Sequence, residues 1–598
     1  MTSTSLLQIL SSESSAASDR ALGKLADFFG LQADLVLLPA DATESMPELS
    51  AVSVSDRTIA LSFDTLRCFA DRAWFDQLVE NARFLLIYGF SPGIGESSEL
   101  KKLTGEALVG VAALPSGDCQ FAVRADLPGG PYPVSGMSYT VPSPAQPVFV
   151  EGPKFAAGQS LLSGGGRPYF VFMPRRGGAI FLLAEEALVD IETPLTPDSS
   201  LRPWYAQLVA LSVFFRGVYG SGCWSTPAIV ANFIVDDPYL KKRYGFIRYE
   251  TLLENLRRTG VALTVAFIPY NYRRSDPGTV DLLRAASDRF SIAVHGCDHT
   301  GGEYSSADGG WLEATTACAS ERMERHRRQT GMPFDNIMVF PQGRFSTAAI
   351  GALKSCGFIA AVNTSPWPSD WERIPATLRE ALDVAVTRYE RFPIFVRRYP
   401  QDIFDYAFDA LLQKPILVVE HHQYFRNGFE PLEALGQDLA KFSPSVRWMP
   451  LGPAIRSSYL VRRDRDCGWA LRHYISEFSH RNLTGSDLVF AVEKPESEGS
   501  VEAVLVDGKS VPYEVKAGWL RYSASARAGQ EISAKVCYRT LTPQPRKSSW
   551  KYRLGVSGRR FLSDLRDNYL ARNERILRIV ESLMKKFRRP NDGTSSPP

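Results

Sequence analysis

The chain of 598 residues is 44% hydrophobic and 22% charged, has a net charge of +3, and scatters eight cysteines without a Cys-x-x-Cys pair. This is ordinary globular composition with room for roughly three or four domains, and it argues against a disordered chain, a disulfide scaffold or a molecule-wide nucleic-acid surface. No apolar run reaches the ~18 residues needed to span a bilayer, the Ser-rich start lacks a basic, apolar leader, and unpaired thiols suit a reducing compartment. The sequence therefore predicts a cytoplasmic protein with no nucleic-acid partner.

Residues 1–220 read as an open α/β domain. Ala21–Phe29 has helical spacing, Asp34–Leu38 and Thr58–Leu61 read as buried strands, Phe63–Asn81 as helix and Arg83–Phe90 as strand. From Leu108 to Leu183 short strands alternate with Gly and Pro clusters. The stretch Tyr88–Gly95 has a glycine-punctuated turn that suits an anion, but without full nucleotide-binding spacing an ordinary turn is the simpler reading. An amphipathic helix over Pro203–Val218 leads to a boundary near residue 220.

Beyond that boundary, to residue 460, strand and helix patterns alternate. The strands are Ala231–Val235, Ala262–Ile268, Ser291–Val294, Ile337–Phe340, Ile359–Val362 and Ile416–Glu420. Such alternation predicts a parallel sheet with its functional groups at the carboxyl ends of the strands. Polar signatures do fall there. The first strand ends in Asp236-Asp237-Pro238, and the third delivers His295 and, four residues on, His299. One carboxylate and two imidazoles are three ligands for a divalent cation such as zinc, with a position left for water. Four of the seven histidines fall in these motifs, His295, His299, His421 and His422, whereas His326, His473 and His480 have charged neighbours and read as solvated.

Asp236-Asp237, His295-x-x-x-His299, Phe340-Pro341-Gln342-Gly343 and Leu417-x-Val419-x-His421 together resemble the polysaccharide deacetylase family, the NodB-homology or carbohydrate esterase family 4 fold, over residues 226–460. The resemblance implies a distorted (β/α) barrel that removes acetyl groups from N-acetylated sugars with a metal-activated water. Carried over, it makes Asp236 the general base, His421 the general acid, Asp237, His295 and His299 the metal ligands, and Pro341, Gly343, Arg344 and His422 substrate contacts. Two positions depart from the family's pattern. Val339 stands where an arginine usually pairs with the base, which leaves Arg344 as a stand-in, and Pro238 replaces a common glycine. Asp370-Trp371 is a candidate for the fourth motif.

Residues 461–545 alternate at short period and predict a small β-sandwich. In 546–598 Lys and Arg outnumber acids roughly threefold, and Phe561, Leu562, Leu565, Tyr569, Ile576, Val580, Leu583 and Phe587 recur at helical spacing. A basic amphipathic helix there predicts peripheral contact with a membrane or a partner. The expected activity is metal-dependent deacetylation of an acetylated carbohydrate in a glycan or glycolipid precursor. Two other classes suit the same residues: a glycoside hydrolase using a second acid such as Glu303 or Glu420, and a non-catalytic sugar-binding or assembly module.

Overall fold

The computed structural model describes residues 7–12, 15–38, 58–69, 82–143, 146–464, 468–539, 543–546 and 548–569. In the N-terminal region the predicted α/β half and most of the strand-rich half share one nine-stranded sheet, while Gly95–Glu96, Leu108–Ala113 and Pro147–Glu151 form a separate three-stranded one. Leu7–Ser11, Ala33–Leu37, Thr58–Ser62 and Phe84–Tyr88 run parallel. Gly178–Leu183 then pairs parallel with Phe84–Tyr88 and carries an antiparallel run on its other side. The glycine turn contains only a three-residue 3-10 helix, Pro92–Ile94, so it presents no helix terminus to an anion.

Tyr205–Tyr219 is a helix, as predicted, but it is not a surface one. Twelve of its fifteen residues are buried, because it lies between the N-terminal sheet and the barrel helix Ile403–Leu411. Tyr205 stacks on Phe408 with centroids 4.0 Å apart, and Tyr139 on Phe404 at 3.9 Å. Each such ring contributes about 1.5–3 kcal/mol through burial. One apolar core therefore crosses the boundary that composition places near residue 220.

The barrel strands are β1 Val230–Asp236, β2 Leu263–Phe267, β3 Phe290–His295, β4 Asp335–Val339, β5 Ala360–Asn363, β6 Ile394–Val396 and β7 Ile416–His421. All pair parallel in the order β6-β5-β4-β3-β2-β1-β7. Arg398, just past β6, forms a parallel bridge to Val418 on β7 and closes the seam, donating its N–H to Leu417 and accepting from Val419 at 2.9 Å each. Alternation sorts the side chains. Ala231, Phe233 and Val235 face the helices, while Ile234, Ala266, Ala293, Val339 and Leu417 fill the barrel with Leu451 and Ile455.

The last domain is a sandwich of a five-stranded and a four-stranded sheet. Its inner faces bury Leu471, Phe490, Val504, Leu520 and Ile532, and the predicted strands at Val501–Val506 and Glu531–Tyr538 are in place. Three histidine expectations are corrected. His326 and His473 are buried and His480 is half-buried. His326 bonds Ser275 at 2.9 Å, His473 bridges Ile475 O and the Tyr522 hydroxyl, and His480 meets the Tyr459 hydroxyl. Burial pushes all three pKa values down, to about 4, about 3 and about 4.

The chain then crosses the carboxyl ends of the barrel strands as the helix Trp550–Asn568, here the strap. The predicted helical residues beyond Tyr569 lie outside the described part. Among the described residues no helix is long and apolar enough to cross a membrane.

Candidate metal centre and active site

β1 ends with Asp236 on the inward side, next to His421 in the register of β7. The following residue leaves the strand in a left-handed conformation, with Asp237 at φ 81, a costly geometry away from glycine. It brings Asp237 Oδ1 within 3.2 Å of His299 Nε2 and 3.7 Å of His295 Nε2. The three ligand atoms all lie within 4.8 Å of one another.

The donor chemistry fits a cation. His295 Nδ1 lies 2.9 Å from the Val339 carbonyl, which only accepts, so the proton sits on Nδ1 and Nε2 offers a lone pair. Asp237 Oδ1 is buried without a hydrogen-bond partner. A lone pair and a carboxylate facing each other in a buried site are repulsive until a positive charge joins them. Burial, with His295 and Arg560 nearby, lowers the pKa of His299 against the pull of Asp237. The ring is thereby neutral, as a ligand must be.

The loop carrying His299 is fixed by Glu303. Its carboxylate accepts the N–H groups of Cys297 at 2.8 Å, Asp298 and His299 at 3.1 Å each, and Thr300 at 3.4 Å. A Cβ at Gly296 (φ 62) would collide with Glu303 Oε1 and Pro341 Cγ, so only glycine allows this packing. Glu303 is a loop staple with its oxygens spent, which removes it as the free second acid of a glycosidase. Glu420 is half-buried, and burial raises its pKa.

Asp236 has a counter-ion that the sequence reading missed. Arg397 grips it in a two-pronged pair, Nη1–Oδ1 2.6 Å and Nη2–Oδ2 2.7 Å, with both side chains buried. Burial opposes the carboxylate's charge, but Arg397, then His295, and also His421 outweigh it and hold the pKa well below the usual carboxylate range. The expectation that Arg344 stands in for the absent motif arginine is thus corrected. Arg344 is exposed, and the guanidinium comes from the end of β6. The signal was the doublet Arg397-Arg398 after the apolar run Ile394–Val396. Alternation sends Arg397 inward to Asp236 and Arg398 outward to Asp409, at 2.6 and 2.9 Å.

The remaining expected residues divide. Pro341 is buried at the end of β4, and Gly343 takes φ 66 against Asn363 and Thr364. His422 is buried behind the site between Tyr244 and Phe246, 3.7 Å from Asp567 of the strap. Asp370 accepts the Thr347 N–H and hydroxyl at 2.8 and 3.1 Å, holding the start of the helix Thr347–Ser355.

The strap covers this end of the barrel with its polar side. Tyr552 donates to Asp298 at 2.8 Å, Asp564 pairs with Arg274 at 2.6 Å and accepts from Tyr239, Asp567 accepts from Tyr244 at 2.9 Å, and Asn568 Oδ1 takes the Gly245 N–H at 2.7 Å. Arg560 Nη2 lies 3.4 Å from His299 Nδ1.

No protein-family model matches the chain, and no curated protein sequence does. Among solved structures it is similar to Agd3, described as a novel carbohydrate deacetylase, at 9% identity and TM-score 0.43, covering 89% of this chain and 98% of that one. A family 4 carbohydrate esterase from Streptomyces lividans in complex with acetate gives 13% and 0.23, covering 37% and 92%. A mutant of BA3943, a CE4 family pseudoenzyme with restored activity, gives 10% and 0.23, covering 47% and 79%. At such overlap the chemistry has to be read from this chain's own side chains. Its seven parallel strands set Asp236-Asp237, His295 and His421 at their carboxyl ends, where the motifs read in the sequence lead one to expect them.

Proposed function

We propose that the chain is a metal-dependent hydrolase that removes the acetyl group from an N-acetylated sugar in a glycan or glycolipid precursor. The observation that carries this reading is the convergence of Asp237 Oδ1, His295 Nε2 and His299 Nε2 one residue from a buried carboxylate gripped by arginine. Those three side chains would hold a divalent cation, zinc by donor type. Bound there, the cation supplies Lewis-acid polarisation of the acetamide carbonyl and an acidified water.

The chain's own groups divide the proton work. Asp236, kept ionised by Arg397, accepts the proton of the attacking water. So weak a base suits only an acidified water, which is why it sits beside the ligand set. His421, adjacent to Asp236 across the β1–β7 register, gives a proton to the departing amine. Gly343 and the exposed Arg344 would form part of the sugar-facing rim, with Pro341 buried beneath them. The seven described cysteines, all free, support a reducing, cytoplasmic setting.

The test is metal content together with acetate release from N-acetylated oligosaccharides. The purified chain should hold about one equivalent of zinc or another first-row ion, lost in His299→Ala and Asp237→Ala. Acetate release should stop on chelation and fall at least about a thousandfold in Asp236→Asn. Metal retained in both ligand variants would sink the assignment. One observation favours a second reading, a sugar-binding module without turnover: the strap sets Arg560 against His299. Acetate release abolished by chelation excludes it.

A further inference from the structure

The strap is amphipathic the wrong way round for a helix packed on its own protein. Its polar residues Tyr552, Arg560, Asp564, Asp567 and Asn568 turn inward to the barrel. Trp550, Leu554, Phe561, Leu562, Leu565 and Tyr569 are left 37–71% exposed. These six are nearly half of the thirteen exposed large hydrophobics among the described residues, so the stripe is a concentration and not scatter. At ~100° per residue they fall within about 120° of one another, with an aromatic ring at each end.

Charge selects the occupant. The strap's acids are turned inward, Asp564 to Arg274 and Asp567 to Tyr244 and Arg566. Its exposed charges, Lys551, Arg553 and Arg559, are all basic. Beside its second half opens a cleft of about 720 Å³ walled by Lys241, Lys242, Arg243, Arg273 and Arg274, with Asp276 the one acid. The chain's own continuation, residues 570–598, brings seven Lys and Arg against three acids, so laying it here would set like charge on like. A second copy meeting this face through its own would do the same. Nucleic acid would meet the cations but leave the Trp, Leu and Phe stripe in water. An anionic bilayer offers hydrocarbon for the stripe and phosphate for the cations at once.

We propose that the outward face of the strap, with the adjoining basic cleft, docks the protein on an anionic lipid surface. The inference does not depend on the catalytic reading. It is tested by flotation of the full chain with neutral phosphatidylcholine vesicles and with vesicles that also contain phosphatidylglycerol. The wild type is expected to float with the anionic vesicles alone and to be released by salt. The doubly substituted F561D/L562D chain, altered at solvent-exposed positions, should partition at least about tenfold less. Wild type that stays unbound, that floats equally with neutral vesicles, or that the double substitution leaves unchanged overturns the proposal. A dimer in sedimentation velocity that F561D/L562D dissociates also overturns it, by giving the face to a second copy.

Discussion

Asp236 and Glu496 are both buried carboxylates held below their usual pKa by cations, yet they do opposite things. Glu496, at the join of barrel and sandwich, meets Lys494 at 2.8 Å and Lys354 at 2.7 Å and accepts from Ser500 and Tyr538. Burial raises its pKa, the two lysines more than reverse this, and the result is about 2. Its side chain is fully buried among these partners. Asp236 has one partner, Arg397, and otherwise faces His295, His421 and the ligand set. A depressed carboxylate therefore does not by itself mark a site. What sets Asp236 apart is its place beside His295, His421 and the Asp237–His295–His299 cluster.

Substitutions at the two carboxylate sites should break this comparison cleanly. Arg397→Met should have the largest effect. It leaves Asp236 buried without a counter-charge, costing about 3–5 kcal/mol in denaturant unfolding, and should lower acetate release at least about a hundredfold. Adding Asp236→Asn should restore most of the stability and none of the activity. If the single variant keeps full activity, Arg397 is merely structural.

Glu496→Gln should behave differently, costing about 1–3 kcal/mol while acetate release is untouched. A pH series sharpens the point. The folded pKa of Glu496, about 2, lies below the ordinary glutamate value of 4.5. Its contribution is therefore fully present above about pH 4.5 and is lost as pH falls toward about 2. Thermal melts of wild type should lose stability across that window more steeply than melts of Glu496→Gln. Parallel curves would show that the ion cluster contributes nothing.

The smallest effect belongs to Asp370→Ala. If Asp370 only holds the start of the helix Thr347–Ser355, the cost is about 1 kcal/mol with activity intact. A large loss of activity at unchanged stability would return it to the site.

Much of the barrel was readable because short apolar runs alternating with helix-spaced stretches need only local sequence. In the folded barrel, strand alternation sets Asp236, His295 and His421 on the inner face. The candidate ligand trio was readable for a similar reason, since His299 lies four residues beyond His295, the last residue of β3. Arg397 was not, because the pair it forms spans 161 residues and its strand β6 has only three. His326 shows the opposite failure. Its neighbours Arg325, Arg327 and Arg328 are exposed, but on a helix residues adjacent in sequence point different ways, so their charge said nothing about its own side. The tail's amphipathic period was legible, while the side of it that faces the barrel was settled by partners such as Tyr244 and Arg274, remote in sequence.

The seam of the barrel has one more implication. Arg398 closes the ring of strands by pairing with β7, and its neighbour Arg397 is the group that keeps Asp236 ionised. Closure and charging are therefore one event. While the chain is being made, Asp236 emerges long before Arg397. Until the last strands arrive it is a carboxylate without its guanidinium, and as the site dries around it the proton-bearing form is the cheaper one. The protein thus carries an internal catch: Asp236 is set as a paired, ionised carboxylate only in molecules whose barrel has shut.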